Sequence, residues 1–153
     1  MLAAGNKAPE FSLDRLEGGK QSLTETLARG PALVALYKIS CPVCQLTFPY
    51  LERISKGSLQ VIGISQDDAN NTRGFLQRFG VTFPTLLDSE DDGYPASNAY
   101  GISSVPTIFL IERNGTVSRV IEGWDKREMT ALGALAGVKP FRATDSVPEW
   151  KAG

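Results

Sequence analysis

Cys41 and Cys44, separated by Pro42 and Val43, are the two cysteines of this 153-residue chain. Thiols at this spacing can close a disulfide, exchange it with another disulfide, or supply part of a metal site. Haem attachment through C-x-x-C-H is excluded, because Gln45 stands where histidine is required. Two cysteines do not complete a four-Cys zinc or iron–sulfur site within one chain, and the chain has no histidine to add ligands. The same lack of histidine removes Ser/His/Asp and Cys/His catalysis. A redox pair or a partial metal site remains. An inert stabilising disulfide is the bland alternative, but so short a loop constrains the unfolded chain little. The expected chemistry is therefore thiol–disulfide exchange, with no metal and no organic cofactor.

The surrounding pattern states how such a pair would be held. Residues 32–37, Ala-Leu-Val-Ala-Leu-Tyr, are continuously apolar and predict a buried central strand. Val43, Leu46, Tyr50, Leu51 and Ile54 fall at helical spacings, so residues 42–55 predict a helix, kinked at Pro49, that starts at the cysteines. Residues 59–64 predict a second buried strand, making 32–64 a βαβ unit with a right-handed crossover. Both cysteines then lie in its first strand-to-helix turn. There the first thiol meets unsatisfied backbone N–H groups and the positive end of the helix dipole, which favour thiolate. Cys41 is thus the expected nucleophile and Cys44, one turn into the helix, the resolving thiol.

The remaining elements complete an α/β domain with a central mixed sheet flanked by helices. Gly18-Gly19 predicts the turn of an N-terminal β-hairpin, and Thr24 the cap of a short helix ending near Gly30. Residues 70–79 predict a helix, 83–87 a short strand and 96–100 a helical turn or two. Strands over 105–111 and 116–121 join at Asn114-Gly115, a strong hairpin signal. Asp125 caps a last helix that runs to Ala136 and stops at Gly137. Residues 1–138 form the domain in this reading, and 139–153 a loop-like tail.

Composition narrows the partners. With 42% hydrophobic and 22% charged residues the chain has the balance of a globular domain. A net charge of −1 supplies no basic field for nucleic acid or anionic lipid. No run of eighteen apolar residues and no signal-peptide pattern occurs, so a membrane span is not expected. The expected setting is the cytoplasm, with the periplasm as the alternative if a leader has been replaced by the start Met. A monomer acting on a protein disulfide or dithiol partner is the expected form.

Cys41-Pro42-Val43-Cys44, Phe48-Pro49, Ser104-Val105-Pro106-Thr107 and the opening residues 5–13 together resemble the thioredoxin superfamily. The closest likeness is to the TlpA/ResA-like thiol-disulfide oxidoreductases, which overlap in sequence with the peroxiredoxins (AhpC/TSA). The resemblance covers residues 5–136 and implies a thioredoxin-like fold. It also implies that Val105-Pro106 is a cis bond facing the cysteines, with Pro42, Val105 and Pro106 on the surface that receives a partner. Thioredoxins carry Trp just before the first cysteine and a buried Asp six residues before it; this chain has Ser40 and Ala35. Lys38 is the candidate for electrostatic support of the thiolate. Trp124 is the candidate for the lost aromatic platform, with an ordinary partly buried Trp as the equal alternative.

A peroxiredoxin reading aligns Cys44 with the peroxide-reactive residue of Pro-x-x-x-Thr-x-x-Cys. It then places Tyr37 at the required Pro and Cys41 at the required Thr, so thiol peroxidase activity ranks second. A redox-sensing interaction module is a further alternative. The run 88–93 imitates the start of an EF-hand loop, but its twelfth position is Ala99, and a loop capping the next helix explains it better. The tail 147–153 is similar to tails of some TlpA/peroxiredoxin-like bacterial proteins in which a cysteine or selenocysteine follows such a Gly. That likeness implies a third redox centre beyond Gly153; the bland alternative is a surface tail packed by Phe141 and Trp150.

Overall fold

Every residue of Ala32–Tyr37 (β3) is buried, which requires a strand covered on both faces and paired on both edges. Its edges pair in parallel with Gln60–Ser65 (β4) and antiparallel with Thr107–Ile111 (β6). The computed structural model, which describes residues 1–153, continues the sheet outward through Thr85–Leu87 (β5) to the hairpin Ser12–Arg15 (β1) and Lys20–Ser22 (β2). Val117–Glu122 (β7) closes the other side, giving the order β2-β1-β5-β4-β3-β6-β7. This is a mixed sheet in a thioredoxin-like α/β fold.

Alternation along β3 divides the core in two. Leu33, Ala35 and Tyr37 face a cluster with Phe48, Leu51 and Ile54 of Pro42–Ser55 (α2), Phe75 of Ala69–Phe79 (α3), and Met129 and Leu132 of Lys126–Ala136 (α5). Ala32, Val34 and Leu36 face the other cluster, with Leu23 and Leu27 of Leu23–Leu27 (α1), and Ala96 and Tyr100 of Pro95–Tyr100 (α4). Side chains that alternate by two residues on a strand must point to opposite faces, so one apolar strand seeds both layers. No helix is long and apolar enough to cross a membrane.

Most helix ends follow the sequence signals. Asp125 accepts the Glu128 N–H at 3.1 Å, and Gly137 takes the left-handed conformation, φ 77°, that terminates α5. The first short helix differs from expectation, because Ser22, not Thr24, is its cap. The Ser22 hydroxyl accepts from the Glu25 N–H at 3.0 Å while the Glu25 carboxylate accepts from the Ser22 N–H at 3.2 Å, a reciprocal capping box. Thr24 instead donates its hydroxyl to Glu10. In the acidic run, Glu90–Asp92 makes a 3₁₀ turn, and buried Asp88 caps α4 by accepting from the Ala96 N–H, the Ser97 N–H and the Ser97 hydroxyl at 2.8, 2.9 and 2.6 Å.

Residues 139–153 return across α2 to the domain. Phe141 packs its ring 5.0 Å from that of Tyr50 and 5.9 Å from that of Trp124. Arg53 donates to the Pro140 carbonyl at 2.8 Å and to the Asp145 carboxylate at 2.6 Å. Trp150–Lys151 (β9) then pairs antiparallel with Trp124–Asp125 (β8). Of the two expected aromatic anchors only Phe141 serves, since Trp150 is 63% exposed.

The hydrogen bond from Arg53, helped by the Arg142 N–H, holds the Asp145 carboxyl below the usual carboxylate range. A lowered folded pKa adds stability that is complete above the unfolded value, about 3.9, and is lost as pH falls through the folded value. The urea midpoint of wild type should therefore exceed that of Asp145→Asn at neutral pH, with the gap closing in acid below about pH 4. A gap independent of pH would remove the ion pair as the tail's anchor.

Candidate active site

Cys41 is the N-cap of α2. Its backbone is extended, φ −84° and ψ 115°, and Pro42 occupies the first helical turn, where a missing N–H costs nothing. The Cys44 N–H donates to the Cys41 sulfur at 3.1 Å, so the sulfur takes the place that a Ser or Asp oxygen takes in an ordinary cap. On its other side the Cys41 thiol donates to the Val105 carbonyl at 3.4 Å. The Val105-Pro106 bond is cis, as the resemblance implied. Both cysteines are free thiols.

The two thiols differ in environment. Cys41 is half-buried, whereas Cys44 is fully enclosed among the core residues of α2 and β3. Burial pushes the Cys44 thiol far above its ordinary pKa, and the neighbouring Cys41 and Asp67 push the same way. Burial likewise raises the Tyr37 phenol, whose ring lies 4.2 Å from that of Phe48 directly beneath the site.

Two connections steady the turn before Cys41. Asp67, in the loop after β4, accepts the Ile39 N–H at 2.8 Å, and the Gln45 side-chain amide donates to the Ile39 carbonyl at 3.0 Å. Sequence reasoning had no role for either residue. The neighbouring Asp68 has a different task, capping α3 through the Asn71 N–H at 2.8 Å.

The structure brings Cys41, Cys44, Val105 and Pro106 together, with Pro42 exposed at the rim. Lys38 stands exposed at the end of β3, and it is the main-chain group of Lys38 that faces the Cys44 thiol. Trp124 corrects the platform expectation. It is fully buried, its ring 5.3 Å from that of Tyr50, and its indole N–H donates to the Pro148 carbonyl at 2.6 Å. With both faces covered it has no surface to offer a partner, because the returning tail uses the site that an exposed platform would need.

Residues 4–120 match the AhpC/TSA family. The chain belongs to that family. Within AhpC/TSA it is similar to the thiol-disulfide oxidoreductase ResA of Geobacillus thermodenitrificans, 32% identical over 132 residues that cover 83% of this chain and 74% of the relative. The ResA of Geobacillus kaustophilus is 29% identical over the same shares. Among solved structures, the thioredoxin domain of a thiol-disulfide oxidoreductase from Bacteroides vulgatus superimposes with a TM-score of 0.77 at 20% identity. That match covers 89% of this chain and 99% of the other, and it supports the thioredoxin-like fold. This AhpC/TSA chain is thus a thiol-disulfide oxidoreductase of the ResA-like group.

Proposed function

We propose that the chain passes two electrons between its own dithiol and a disulfide on a partner protein, with Cys41 attacking and Cys44 resolving. The observation that carries this reading is the unequal placement of the two sulfurs. Cys41 caps a helix at the surface and contacts a backbone carbonyl across the site, while Cys44 is sealed beneath it. In the forward direction the Cys41 thiolate attacks one sulfur of the partner disulfide, and the other leaves as a thiolate that takes up a proton. Cys44 then loses its proton and attacks the Cys41 sulfur of the mixed disulfide. The partner leaves as a dithiol, and the Cys41–Cys44 disulfide holds the oxidised state.

Burial keeps Cys44 protonated, so the resolving thiol does not compete for the first attack. Val105, half-buried, frames the partner's approach, while Pro106, expected on the same surface, is buried behind it.

Alkylation of the reduced protein tests the assignment. Iodoacetamide at mildly acidic pH should modify Cys41 first, and Cys44 only on unfolding, as read by peptide mass. Equal labelling, or modification of Cys44 in the folded protein, would reverse the roles.

A further inference from the structure

The last four residues of the chain reach the active-site rim. β9 pairs with β8 in the register Trp124↔Lys151 and Asp125↔Trp150, and the Lys126 N–H donates to the Glu149 carbonyl at 2.9 Å. The chain then passes over Gly123 so closely that a Cβ there would lie 2.4 Å from the Lys151 carbonyl oxygen and 2.8 Å from the Gly153 nitrogen. Gly153 itself lies against Val105. A Cβ on it would sit 2.5 Å from the Val105 carbonyl oxygen, the same oxygen that accepts the Cys41 thiol. Two glycines therefore allow a backbone-on-backbone contact that no other residue pair would fit without movement.

This contact covers backbone that a partner chain would have to approach to bring a disulfide sulfur to Cys41. We propose that residues 150–153 are an intramolecular competitor that gates the site by size. While they are seated, small disulfides reach Cys41 through its open face beside Ser40 and Pro42. A disulfide held in a folded protein gains access only by displacing the segment and taking its place beside Val105 and Gly123. The inference rests on Cys41 being the attacking thiol.

The hold on this segment is graded as a gate requires. Up to Pro148 the tail is anchored by the Arg53–Asp145 ion pair, the Phe141 ring and the bond from the Trp124 indole. Beyond Glu149 all four residues are exposed, and Trp150, the one large apolar residue among them, is 63% exposed. Little apolar area is buried there, so the segment can lift with Glu149 as its hinge while the anchor stays in place.

The test uses the reduced full chain, a variant ending at Glu149, and Gly153→Val, whose side chain would collide with the Val105 carbonyl and push the segment off. Rate constants are measured for oxidation by glutathione disulfide and by insulin. Both variants should raise the insulin-to-glutathione ratio by about tenfold, the change for a segment seated about nine-tenths of the time. Melting temperatures should match wild type, since the anchor is retained. A ratio within about twofold of wild type in the Glu149-terminated variant would overturn the gate. If wild type reacts with neither disulfide, the proposed function fails on its own. The gate is then read from Cys41 modification by N-ethylmaleimide against a polymer-tailed maleimide, where an unchanged ratio overturns it as well.

Discussion

Cys41→Ser should lower disulfide reduction by roughly three orders of magnitude or more, because an alcohol at this position supplies essentially no anion at neutral pH. Cys44→Ser should have a different phenotype. The first attack survives, and the protein stalls as a mixed disulfide with its partner that is visible on a non-reducing gel. The asymmetry follows from position: Cys41 alone faces solvent and the Val105 carbonyl, whereas the Cys44 thiol is fully buried and faces only the Cys41 sulfur and the Lys38 main chain. A stalled adduct on Cys41→Ser, formed through Cys44, would invert the mechanism and favour the peroxiredoxin alignment.

The second large effect is on stability. Phe48 is fully buried on the inner face of α2, with the rings of Tyr37, Phe75 and Phe83 at 4.2, 5.7 and 5.6 Å. Truncation to Ala removes the transfer energy of the ring and opens a cavity that three other rings cannot all collapse into. Phe48→Ala should therefore cost about 3–5 kcal/mol. In a domain of this size that lowers the melting temperature by roughly 6–20 °C, measurable by calorimetry. A loss below about 1 kcal/mol would mean that the aromatic cluster is not what fixes α2, and with it the cysteines, to the sheet.

The parts of the molecule built from local pattern were legible in the sequence. The unbroken apolar run of β3, the helical spacing of α2 and the Asn114-Gly115 turn each encode their own geometry, and together they place the cysteines at a strand-to-helix turn. What stayed hidden depends on chain segments far apart. Trp124 could be buried or exposed until Tyr50, Phe141 and Pro148 were seen to surround it. Asp67 has no local signature for its bond to Ile39 across 28 residues. Ser22 and Thr24 both belong to the capping types, and Glu10, distant in sequence, occupies Thr24 and leaves the cap to Ser22. The tail reads as a loop because its hold on the domain comes from one arginine, one ring and one indole hydrogen bond rather than from periodicity.

The strand order carries a consequence for how the protein is made. β3 ends at Tyr37, but the strand that covers its second edge, β6, ends at Ile111, and the N-terminal hairpin waits for β5. At about 5–20 residues per second, synthesis of the roughly seventy intervening residues leaves a six-residue apolar strand with an open edge for several seconds. Pairings this far apart in sequence also form slowly once the partner has emerged. An unpaired apolar edge is a template for association with other chains. For this protein, then, the strand order itself sets how long the apolar edge of β3 stays open while the chain is made.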